Sequence, residues 1–137
     1  MAVVEELIRN EADGSVSFGD YSLKEKAKKE DFAHGNDTMK VKTCAEITRL
    51  EKNGLVLYES VPGTTVNNLS ETEDGLRFSV EGPEDAQITL GLLEDTGYDI
   101  KIAGKDSGMM RTNLGGKLSF GVELAGSGAV EVEVKKA

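Results

Sequence analysis

The sequence predicts an all-β protein, an antiparallel β-sandwich of jelly-roll or immunoglobulin-like type with an N-terminal β-hairpin extension. Three observations predict it. From Met39 onward, short runs of Val, Ile, Leu and Thr alternate with polar residues, as half-buried strands require. Turn residues punctuate these runs at intervals of about 8–12 residues. No stretch supplies the intervening helices that a βαβ arrangement would need.

Val3 to Tyr21 reads as a hairpin, with apolar residues through Ile8, a turn at Asp13-Gly14, and Val16 and Phe18 alternating with serines. A short helix over Val3–Asn10 is the rival reading, because Val3, Leu7 and Ile8 also share a helical face. The charge-dense run from Lys24 to Asp31 has few apolar anchors and reads as a solvated loop or marginal helix. His34-Gly35-Asn36-Asp37 then marks a boundary, dividing the chain into residues 1–38, hairpin and charged linker, and residues 39–137, the sandwich.

Val41, Thr43, Ala45 and Ile47 alternate with polar residues, and a bulge accounts for the change of phase before Leu50. Asn53-Gly54 fits both positive-φ positions of a type I′ turn into Leu55–Tyr58. Further strands are expected at Thr65–Leu69, Leu76–Glu81, Gln87–Leu92, Tyr98–Ile102, Gly108–Thr112, Lys117–Leu124 and Ala129–Lys135. The uninterrupted alternation Val130-Glu131-Val132-Glu133-Val134-Lys135 puts one face on the core, and its charges suit a sheet edge.

A formal charge of −9 repels nucleic acid and anionic lipid, so neither nucleic acid nor membrane is an expected partner. The N-terminus has acids where a signal peptide has bases, and no run approaches the roughly 18 apolar residues of a membrane span. The expected location is cytoplasmic, with leaderless export or a place in a larger surface assembly left open. Cys44 and His34 are the only residues of their types, which excludes an intrachain disulfide and the soft-ligand zinc sites. No cofactor-binding motif is present.

No catalytic residue emerges. His34 lies in a turn-rich loop away from any nucleophile elbow, and Cys44 sits in an alternating strand as a small packed side chain. The acid pairs Glu73-Asp74, Glu84-Asp85 and Glu94-Asp95 fall at strand connections. Glu73, Asp74, Glu94 and Asp95 would share one end of the domain and are the candidates for a calcium site, though ordinary solvated turn acids are the simpler reading. Tyr21, Tyr58 and Tyr98 are the candidates for ligand stacking, against a simpler reading as rim tyrosines with wet hydroxyls.

Four segments carry a family resemblance: Glu5-Glu6-Leu7-Ile8-Arg9 with Asp13-Gly14-Ser15 and Ser17-Phe18-Gly19; Tyr58-Glu59-Ser60-Val61-Pro62-Gly63-Thr64; Val80 through Leu90; and Thr112 through Ser119. In these the chain resembles a family of small proteins from anaerobic Gram-positive bacteria that carry the label "endosialidase". Genuine endosialidases are similar to phage tailspikes, trimers with a β-propeller catalytic part that 137 residues cannot build. The resemblance therefore implies a bacterial origin and a kind of protein, with no catalytic position carried over.

Two functions follow as expectations. The first is a non-enzymatic β-sandwich module for binding or assembly, self-associating through strand edges or the N-terminal hairpin. The alternative is a small carbohydrate-active hydrolase or binding domain for a sialic-acid polymer or other glycan.

Overall fold

The computed structural model describes residues 3, 4 and 6–137; Met1, Ala2 and Glu5, the last within the expected hairpin, lie outside the described residues. Thirteen strands form two antiparallel sheets that pack face to face. They are β1 (Ile8–Asn10), β2 (Val16–Phe18), β3 (Ala27–His34), β4 (Asp37–Thr43), β5 (Thr48–Lys52), β6 (Leu55–Val61) and β7 (Thr65–Thr72), followed by β8 (Gly75–Glu81), β9 (Ala86–Gly91), β10 (Gly97–Ile102), β11 (Lys105–Arg111), β12 (Lys117–Val122) and β13 (Val130–Lys136). One sheet has the order β1-β2-β7-β8-β13-β10-β11, the other β12-β9-β6-β5-β4-β3. No helix occurs among the described residues.

Alternation builds the core. Leu76, Phe78 and Val80 of β8 and Val130, Val132 and Val134 of β13 face inward, against Leu57 and Tyr58 of β6 and Ile88 and Leu90 of β9. The Tyr58 ring lies between Phe18 and Phe78, edge-on to each, with centroids 5.3 and 5.5 Å away.

The N-terminal hairpin forms as expected, closed by Glu11 and Ser15 and capped by Asp13, whose Oδ1 accepts from the Ser15 amide. Its Ile8, Val16 and Phe18 belong to the same core as the rest of the chain, and β2 pairs with β7. Gly19, just beyond β2, has φ +100°, and a Cβ there would stand 2.4 Å from the Thr64 carbonyl oxygen. Gly19→Ala is therefore expected to cost about 1–3 kcal/mol, read as a lowered denaturation midpoint. An unchanged midpoint would show that the backbone there relaxes freely.

Three expectations are corrected. The run from Ala27 to His34 is strand β3, because pairing with β4 on either side of a bulge at Glu30–Asp31 supplies the backbone bonds that its few apolar residues could not fix alone. The segment from Val41 to Leu50 is two strands: the Cys44 amide bonds the Ile47 carbonyl at 2.8 Å, turning the chain so that β4 pairs with β5. A bulge does occur nearby, between Leu50 and Glu51 in the β5–β6 ladder. Finally, β13 is interior, between β8 and β10.

Candidate functional site

The sites anticipated in the sequence resolve one by one. Tyr58 and Tyr98 are buried, at 0% and 2% exposure, and Tyr21 at 8%, so none offers an exposed ring face for stacking on a ligand, although Tyr98 reaches the lining of a cleft beside Glu73 and Asp74. The Tyr98 hydroxyl accepts the Leu93 amide at 3.2 Å. Burial pushes the Tyr58 phenol far above its ordinary range, opposed only in part by its hydroxyl bonds, so it stays protonated and serves as a structural donor and acceptor. His34 Nδ1 donates to Asn10 Oδ1, whose amide nitrogen is already spent on the Ala33 carbonyl. Cys44 is buried in the β4–β5 turn.

Glu73 and Asp74 do lie at the same end of the sandwich as the β9–β10 connection, flanking a cleft also lined by Leu93. Glu94 and Asp95 of that connection are both exposed, and Asp95 pairs with Arg111 Nε at 2.8 Å. Among the described residues no three His, Cys, Asp or Glu side chains are grouped to hold a metal ion.

One polar cluster escaped notice in the sequence, and it is sealed inside. Thr48 Oγ1 donates to the Thr64 carbonyl at 2.7 Å and accepts from the Thr64 amide at 3.0 Å. Its proton thus committed, it accepts from Thr43, which in turn accepts from the Asp20 amide. Thr64 Oγ1 bonds both Tyr58 and Ser60. All five hydroxyl side chains are buried, and among the described residues no buried side-chain polar atom lacks a partner. The cluster is wholly internal and joins chain segments distant in sequence.

The two long sides of the sandwich are built differently. On one side β1 and β3 lie against each other, linked by the Asn10 bonds to Ala33 and His34. Both edges there are blunted: β1 spans three residues, and β3 carries Lys28 and Lys29 beside a bulge, with Asp31 at φ +55°. On the other side β11 and β12 are both free edges. Every residue of β11 is exposed, and a register shift opposite Asp99–Lys101 breaks its ladder with β10. Between the β10–β11 tip and the end of β12 lies an open groove of about 820 Å³, lined by Ile102, Lys105, Ser107, Gly121, Glu123 and Ala129.

Strand β12 is blunted only at its start, where the outward amide and carbonyl of Lys117 bond Asn113. It pairs with β9 over all six residues without a shift, contains no proline, and carries no charge between Lys117 and Glu123. Leu118, Phe120 and Val122 face the core, and Ser119 and Gly121 face outward. Of six large exposed hydrophobic residues among those described, three lie on β11 or on its connection to β12, namely Met109, Met110 and Leu114. The open side thus combines free backbone groups with exposed apolar side chains.

No helix among the described residues is long and apolar enough to cross a membrane. No family model, curated protein or solved structure significantly matches the chain.

Proposed function

We propose that the chain is a non-enzymatic β-sandwich module that binds or assembles with a partner by strand addition along its open side. The asymmetry between the two long sides carries this reading: one is laced and blunted, the other leaves β11 and β12 unpaired beside a groove. Edge addition uses main-chain hydrogen bonds for affinity and alternate side chains for specificity, and needs no reactive group. The described residues bring together no nucleophile, base and orienting group, which is consistent with the same reading.

The test sets this module against the glycan hydrolase or glycan-binding alternative. Intact protein is assayed for turnover of polysialic acid, for retention on a glycan array, and for selection of binders from a random peptide library. The expected result is silence toward glycans and enrichment of extended peptides with alternating apolar residues. Turnover of polysialic acid, or glycan retention without peptide binding, overturns the reading.

A further inference from the structure

We propose that β12 pairs antiparallel with β12 of a second copy of this chain, in the register that sets Phe120 opposite Phe120; this rests on the strand-addition reading above and names its partner. The hydrogen-bond phase is the first support. The Leu92 amide bonds the Gly116 carbonyl at 2.8 Å, so even-numbered residues of the β12 segment point their backbone groups at β9. The Lys117 carbonyl accordingly turns away from β9 and accepts the Asn113 amide. Ser119 and Gly121 therefore present their N–H and C=O groups outward, with no strand beyond them.

In the proposed register Ser119 of each copy faces Gly121 of the other, so the outward groups of both residues bond reciprocally. Leu118 faces Val122, which keeps apolar side chains on the core face of both copies. The same register sets Lys117 opposite Glu123 at each end. These two side chains share the outer face of the sheet, and neither forms an ion pair among the described residues; Lys117 Nζ lies 3.5 Å from the Val56 carbonyl, a contact at the limit of a hydrogen bond. A shift of two residues either way keeps the faces matched but loses both charge pairs, so charge selects the register.

Shape agrees with charge. The connection bearing Leu114, which is 80% exposed, immediately precedes β12. In this register it lies beside the Glu123 end of the other copy, where the groove beneath the β10–β11 tip opens. The contact is isologous, since each copy offers the same strand and groove, and it closes as a two-fold dimer that consumes both β12 edges.

Sedimentation equilibrium of the intact protein tests the pairing across four chains: wild type, Lys117→Glu, Glu123→Lys, and the double charge swap. Wild type is expected to be a dimer. Each single reversal places like charges at both ends and raises the dissociation constant by about tenfold or more, while the double swap restores it to within about threefold. These positions are on the outer face, so circular dichroism should report an unchanged fold. Gly121→Pro is an independent probe: it removes an outward N–H, a place where an edge strand accepts proline, and should yield monomer. A wild-type monomer overturns the proposal. A dimer indifferent to all these variants also overturns it and moves the contact to another edge. In both cases the non-enzymatic reading stands or falls separately, on the glycan and peptide assays.

Discussion

Thr48→Val is expected to lower the unfolding free energy by about 3–5 kcal/mol without altering the outline of the core. Valine has nearly the shape of threonine, so no cavity forms and the loss is one of hydrogen bonding. The Thr48 hydroxyl serves three buried partners at once: it receives the Thr64 amide and the Thr43 hydroxyl, and it donates to the Thr64 carbonyl. Each partner would be left in the interior without water, and each such orphan costs about 1–3 kcal/mol. Urea titration should show a lower midpoint with the same slope, because the surface exposed on unfolding does not change. A loss below about 1 kcal/mol would mean that water enters this end of the sandwich and replaces the hydroxyl.

Tyr58→Ala is expected to be at least as damaging, about 3–5 kcal/mol from the deleted ring and its cavity. The ring is fully buried and holds Phe18 and Phe78 edge-on from the opposite sheet. Tyr58→Phe separates the two contributions. It keeps the ring and deletes only the hydroxyl that bonds Thr64 at 2.7 Å, leaving Thr64 its bond to Ser60, so it should cost about 1–2 kcal/mol. Equal losses for the two variants would place the energy in the hydroxyl and refute the packing account.

Local chemistry made much of this fold legible. Asn53 and Gly54 do take φ of +52° and +83°, as a type I′ hairpin demands, because the turn is decided by two residues alone. The short strands after Pro62 were likewise readable from turn residues and alternation. What was not readable depends on partners distant in the chain. Lys28 and Lys29 look like a solvated loop until β4 supplies a ladder beside them. The acids and lysines of β13 resemble edge protection, yet Glu133 lies opposite both Arg77 and Lys101, and Lys135 opposite Asp99. Opposite charges across a ladder stabilise an interior strand, and the pattern of a single strand cannot tell the two uses apart.

The candidate site was legible in part. Strand edges were an expected route to association, but which edge stays open depends on the closing of the opposite side by Asn10 and His34, a contact spanning 24 residues. The tyrosines misled for a physical reason. The hydroxyls of Tyr58 and Tyr98 find a buried side-chain partner and a backbone partner, and so their rings can enter the core.

The interior position of β13 also orders events during synthesis. Its neighbours β8 and β10 belong to one sheet but have no direct ladder between them, so until Val130–Lys136 arrives that sheet is two fragments, β1-β2-β7-β8 and β10-β11. The other sheet is complete once β12 has been made. A growing chain therefore carries a finished half and a split half, with the edges of β8 and β10 bare until the thirteenth strand slots between them. Ribosome-bound intermediates ending before Val130 should be the forms of this protein most in need of a chaperone.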